Sequence, residues 1–142
     1  MQLTRHTDYA LRVLMYLALE PERVATISDI ATAYDISRNH LVKVVHELGG
    51  HGFIKTFRGK GGGMQLARDA GSIVVGDVVR RMEGNLEIVN CTGPRCAILP
   101  GCLLKGVLYE ARDAFLATLD TYTLQDLLHQ RQQRLSGLLQ VK

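Results

Sequence analysis

The sequence predicts a mainly α fold with a small β-wing: a winged helix-turn-helix plus a long dimerisation helix. Three observations carry this expectation. Apolar residues recur at helical spacing in two short segments separated by a turn, a basic glycine run lies between two short apolar stretches, and a later segment repeats apolar residues at four-three spacing. With 142 residues and 46% hydrophobic content, the chain has material for one good core. The expected organisation is therefore one compact chain in two segments. Residues 1–70 form the winged helix-turn-helix, and residues 71–142 form a loop and helices that intertwine with a second copy.

The first helix is expected over about Thr7 to Leu19, apolar on most sides and stopped by Pro21. Its polar exceptions, Asp8 and Arg12, are four apart and suited to an ion pair. Thr26 and Asp29 then read as a capping box ahead of Ile27, Ile30, Ala31 and Tyr34. After a turn at Asp35-Ile36, Ser37 is expected to cap a second helix. In that helix Leu41, Val44, Val45 and Leu48 share one face, with Asn39, Lys43 and His46 opposite. Gly49-Gly50 should end it. Phe53-Ile54 and Met64-Gln65-Leu66 read as strands around Arg58-Gly59-Lys60-Gly61-Gly62-Gly63, a wing whose tip lets backbone and two cations approach a sugar-phosphate chain. The run lacks the Lys-Ser/Thr ending of a P-loop, and Met64 stands at the third glycine of a dinucleotide fingerprint. Beyond a linker at Asp69 to Ser72, Val75, Val78, Val79 and Met82 mark another helix, closed by Gly84. Leu104, Leu108, Ala111, Phe115 and Thr118 form the seam of a helix of about seventeen residues, and a monomer would have to cover that seam from within. Thr123 and Asp126 open a last helix with Leu124, Leu127, Leu128 and Leu135 on one side.

Net charge is only +3, yet residues 37–68 hold Arg38, Lys43, Lys55, Arg58, Lys60 and Arg68 against Glu47 alone, with His40, His46 and His51 besides. That asymmetry is the footprint of a phosphate-binding face. A capped helix N-terminus offers N–H groups to phosphate, Asn bonds adenine edges, and Lys bonds guanine or phosphate, so these residue types suit a major groove. The candidate DNA-binding residues are Ser37, Arg38, Asn39, His40 and Lys43 on the second helix and Arg58 and Lys60 on the wing. No nucleophile–base set or carboxylate pair stands out, so an enzyme is not expected. No run reaches the eighteen or so apolar residues of a membrane span, and the expected location is cytoplasmic, without a membrane partner.

All three cysteines fall within Cys91 to Cys102, CTGPRCAILPGC, among Gly93, Pro94, Pro100 and Gly101. These residues break helices and predict a loop. An odd number of thiols in a chain without a secretory signature points to metal ligation or redox sensing rather than to disulfides. Structural zinc takes shorter gaps and four ligands. Iron-sulfur clusters accept looser thiolate spacing and an occasional non-cysteine ligand. The bland alternative is three thiols without chemistry, one of them buried as a small hydrophobe.

LTRHTDYALRVLMYLA at the start, ISRNHLVKVVHELG, RGKGGGMQLA, IVVGDVVRRMEG and the NCTGPRC-to-GC loop together resemble the iron-sulfur transcription regulators of the IscR-like winged-helix family, most of all their nitric-oxide-sensing repressors. The resemblance covers essentially the whole chain. It implies a homodimer that binds palindromic operator DNA while holding an iron-sulfur cluster, 4Fe-4S or 2Fe-2S, and that releases DNA when nitric oxide nitrosylates the iron. By the same resemblance Cys91, Cys96 and Cys102 are ligands, and Asp8 donates an oxygen from the partner subunit's first helix. His6, two residues away, is the competing donor. Leu104, Leu108, Ala111 and Phe115 are the expected dimer contacts. The alternative within the same fold is a regulator that senses cluster status or thiol oxidation.

Overall fold

In the computed structural model, which describes residues 1–141, the helices are α1 (Arg5–Leu19), α2 (Ile27–Tyr34), α3 (Arg38–Gly50), α4 (Val75–Glu83), α5 (Leu104–Asp120), α6 (Leu124–Leu128) and α7 (Gln132–Leu139). The strands β1 (Ile54–Phe57) and β2 (Gly63–Leu66) lie between α3 and α4. Helix α1 runs through the middle of the core. Ala10, Val13 and Leu14 are wholly buried, and α1 packs against α3, α4 and α6. Because Ile73, Val78, Met82, Leu124 and Leu128 join the same core, the first and last thirds of the chain share one interior.

Helix α1 begins two residues earlier than the apolar pattern suggests. Thr4 takes the N-cap position, and its hydroxyl accepts from the Thr7 N–H, which extends the helix over the polar Arg5 and His6. Both capping boxes form, Thr26 with Asp29 and Thr123 with Asp126. Ser37 occupies the N-cap position of α3, but its side chain makes no capping bond, contrary to expectation. The α3 core face is as expected: Leu41, Val44, Val45 and Leu48 are buried.

The wing is an antiparallel pair with Ile54 opposite Leu66 and Phe57 opposite Gly63. The first strand therefore starts one residue later and runs further than Phe53-Ile54. A third segment completes it: the Ala25 N–H donates to the Met64 carbonyl at 3.0 Å, and the Met64 N–H donates back at 2.7 Å. Gly63, at φ 154°, permits this approach, because a Cβ there would lie 2.4 Å from the Ala25 carbonyl oxygen. Likewise a Cβ on Gly62 would lie 2.4 Å from the Phe57 carbonyl oxygen. These two glycines are therefore needed to close the hairpin, whatever the tip meets outside the chain.

The expected linker at Asp69 to Ser72 is a 3₁₀ turn over Ala70–Ser72, with Ala70 buried. The α4 helix follows as predicted and ends at Gly84 with φ 73°. The single last helix is not observed. It divides into α6 and α7 at Gln130, which sits in the left-handed region at φ 62°. The turn lays α7 against α1, where the Gln132 amide donates to the Leu19 carbonyl at 3.0 Å. That carbonyl lies in the last turn of α1 and lacks an intrahelical donor.

Candidate nucleic-acid interface and cysteine loop

The buried stripe of α3 turns its other side outward, leaving Ser37, Arg38, Asn39, Val42, Lys43 and His46 exposed. Arg58 and Lys60 are exposed at the wing tip. Arg12, Arg23, Arg80, Arg81 and Arg112 all have carboxylate partners. Among the described residues, none of the six cations in the segment 37–68 has one. Lys55 lies over the Phe57 ring, Arg68 over the Phe53 ring, and Arg38 donates to the Ser28 hydroxyl. Cations without a carboxylate partner on a helix and its adjoining hairpin suit an outside polyanion.

His40 differs from its neighbours. It is half-buried, in edge contact with Tyr9 at 4.7 Å between ring centroids and 6.2 Å from the His6 ring. Its place is at the joint between α3 and α1.

That joint also settles where His6 points. Its Nε2–H donates to Glu47 Oε2 at 2.5 Å, and His51 Nε2 lies 3.6 Å from the other Glu47 oxygen. Glu47 lies on α3, so His6 is committed inside the chain. Asp8 instead forms a two-point pair with Arg12, Nε to Oδ1 at 3.0 Å and Nη2 to Oδ2 at 2.9 Å, with both side chains more than two-fifths exposed. Chiefly through that hydrogen bond, Asp8 raises the Arg12 guanidinium above its ordinary pKa. Arg12 in turn lies over the rings of Tyr9 and Tyr34. Asp8 is thus a held, outward-facing carboxylate.

A second anchor was invisible in the sequence. Among the described residues Thr7 is the one polar residue that is fully buried, and its hydroxyl donates to Glu83 Oε2 at 2.5 Å. The Thr4 N–H is 3.2 Å from both Glu83 oxygens, and the Thr4 hydroxyl donates to Oε2 at 3.2 Å. The last residue of α4, where the cysteine loop begins, therefore caps the start of α1 from outside. Neither the His6–Glu47 nor the Thr7–Glu83 bond has a local signal, because the partners lie 41 and 76 residues apart.

From Glu83 to Phe115 no residue is buried. The cysteine loop is held mainly by short-range bonds such as Thr92 N–H to Asn90 Oδ1 at 3.0 Å and Gly101 N–H to the Ile98 carbonyl at 3.0 Å. All three thiols are free, Cys96 exposed and Cys91 and Cys102 half-buried. Cys91 and Cys96 line one cavity of about 370 Å³ with Arg95, while Cys102 and Asp8 lie outside its lining. Among the described residues, no three His, Cys, Asp or Glu side chains converge as a metal site within the single chain. The donor set nonetheless suits a thiophilic group: three unpaired thiols in an unburied loop.

The α5 seam lies open. Leu104 and Val107 are 59% and 58% exposed, and Ala111 is exposed. Leu108 and Phe115 are half-buried, and only Leu116 of this helix is buried. No helix among the described residues is long and apolar enough to cross a membrane.

A helix-turn-helix with an adjoining wing and a cationic outer face defines a winged-helix DNA-binding regulator. The family model Rrf2, iron-dependent transcriptional regulator, matches residues 3–130, and the chain belongs to that family. It is a transcriptional regulator and not an enzyme. It is 51% identical over 135 residues to the HTH-type transcriptional regulator NsrR of Geobacillus kaustophilus, covering 92% of each chain. It is 47% identical over 146 residues to NsrR of Halalkalibacterium halodurans, covering 100% of this chain and 99% of that one. Among solved structures it is similar to CymR (YrzC), the global cysteine regulator of B. subtilis, at 27% identity and a TM-score of 0.71, covering 89% and 95%.

Proposed function

We propose that the protein is a repressor that binds palindromic operator DNA as an iron-sulfur-containing homodimer and lets go of it when nitric oxide nitrosylates the cluster. The observation that carries the DNA reading is the concentration of six cations without a carboxylate partner on α3 and the adjoining hairpin, against Glu47 alone in residues 37–68. Residues 1–70 do the DNA binding, with Asn39 and Lys43 reading bases and Ser37, Arg38, His40, Arg58 and Lys60 positioning the helix and wing. Residues 71–142 hold the cluster and the partner. The open stripe of Leu104, Val107 and Ala111, continuous with the exposed Ile98, Leu99 and Leu103, supports a second copy seated on α5 through Leu104, Leu108, Ala111 and Phe115.

Cys91, Cys96 and Cys102 would hold the cluster, and Asp8 of the partner subunit would complete it. The family's description as iron-dependent supports iron here, and the bond of His6 to Glu47 favours Asp8 over His6 as the outward donor. When bound, the cluster supplies iron that nitric oxide attacks. The chain's own contribution is α1, fixed at its start by Glu83 and tied to α3 through His6 and Glu47. A pull or release at Asp8 therefore acts on the element that orients the recognition helix. A second reading rests on Cys91 and Cys96 lining one cavity beside Arg95, which suits a thiol switch.

The deciding experiment prepares the full-length protein anaerobically with iron and sulfide. It follows visible absorbance and operator binding together during a nitric oxide titration. Affinity that falls in step with the cluster signal is expected. Affinity indifferent to the cluster but responsive to oxidant and reductant without iron would establish the thiol switch instead.

A further inference from the structure

Val42 is the one large apolar side chain that α3 turns to solvent, 50% exposed, while the four core residues of the helix are buried. At 100° per residue it stands about 40° from Arg38 on one side and about 40° from His46 and 60° from Asn39 on the other, inside the exposed polar arc of α3. It lines an open groove with Lys43, His46 and Gly50 on one side and His6 of α1 on the other. Neither folding term accounts for it. Valine is a weaker helix former than the lysine, glutamine or arginine usual at exposed sites, and a half-exposed side chain gains little from burial. In this arc the neighbours are cationic or hydrogen-bonding, and among the described residues no segment closes over the position.

We propose that Val42 is a specificity-determining residue that reads the 5-methyl group of a thymine in each operator half-site, an inference that rests on the DNA reading above. In the major groove thymine is the base that presents a methyl group, and apolar side chains recognise it by contact. Asn39 and Lys43 supply hydrogen bonds to neighbouring base edges, and hydrogen bonds alone leave that methyl unread. The unpaired Arg58 and Lys60 bring the phosphate chain against the same surface. One apolar side chain placed among polar readers then converts a methyl group into a sequence preference.

The test uses the full-length anaerobically reconstituted dimer and duplexes that it selects itself from a random-sequence pool. Each thymine of the selected site is replaced in turn by deoxyuridine, which removes only the methyl group. The scan is repeated with Val42→Ser, whose helix propensity matches that of valine, so folding is preserved. At one thymine per half-site, deoxyuridine should weaken wild-type binding about fourfold, the worth of one buried methyl. The same replacement should leave Val42→Ser binding unchanged, and the salt dependence of the two proteins should be equal. If no deoxyuridine position weakens wild-type binding, or if the weakening persists at full size in Val42→Ser, the proposal is overturned while the DNA reading stands. If the pool yields no enriched sequence, the DNA reading falls and takes this proposal with it.

Discussion

Replacing Glu83 tests whether the end of α4 anchors the start of α1. Thr7 is fully buried, and its hydroxyl donates to the Glu83 carboxylate at 2.5 Å, with the Thr4 N–H and hydroxyl sharing the same acceptor at 3.2 Å. A hydrogen bond to a charged group contributes about 1.5–3 kcal/mol. The carboxylate also faces the positive end of the α1 dipole, worth about 0.3–1 kcal/mol. In Glu83→Ala the Thr7 hydroxyl falls back on the Thr4 hydroxyl 3.1 Å away, which offsets part of the loss. The expected cost is therefore about 2–3 kcal/mol. Thr7→Val keeps the shape and removes the donor, leaving the Thr4 bonds to Glu83 in place, for about 1.5–2 kcal/mol. The double variant should cost less than the sum of the two by at least about 0.5 kcal/mol, because both changes remove one bond. Urea unfolding followed by circular dichroism at one protein concentration, with thiols reduced, measures all three. If Glu83→Ala lies within about 0.5 kcal/mol of wild type, or if the two changes simply add, the anchor does not exist as described.

Three further outcomes are expected. Gly63→Ala should cost about 1–3 kcal/mol and reduce DNA binding further than stability, because a Cβ 2.4 Å from the Ala25 carbonyl forces the wing off its third segment; denaturation and gel-shift assays on the same sample separate the two effects. Burial pushes Tyr34 up to about 12, so its contribution to stability is full below about pH 10 and is lost as pH rises through 12. An alkaline absorbance titration should show one of the five tyrosines ionising late, and Tyr34→Phe should remove that late step. Asp8→Ala should change stability by under about 1 kcal/mol, because its partner Arg12 is more than two-fifths exposed, yet should leave a labile cluster and weaker operator binding. In dimers mixed from Asp8→Ala and Cys96→Ala subunits, donation across the dimer leaves one site intact and damages the other doubly; two equally damaged sites would show donation within a subunit.

Short-range chemistry made much of the molecule legible from sequence. The capping boxes at Thr26 and Thr123, the buried face of α3, the α4 stripe and the three-cysteine loop all depend on neighbours within a few residues, where spacing encodes geometry. The Asp8–Arg12 pair was readable for the same reason. Tertiary structure decided what depends on distant partners. His6 turned inward to Glu47, Glu83 capped α1, Ala25 joined the wing, and Ser37 took the cap position without making the bond. The break at Gln130 belongs here too: no glycine or proline marks it, and packing of α7 on α1 holds the left-handed turn in place. The open face of α5 followed a pattern that the sequence showed, but only the fold determined that, among the described residues, Leu104 and Val107 stay more than half exposed. An apolar stripe records that burial is required, and the arrangement of the other helices determines whether the covering surface comes from within the chain.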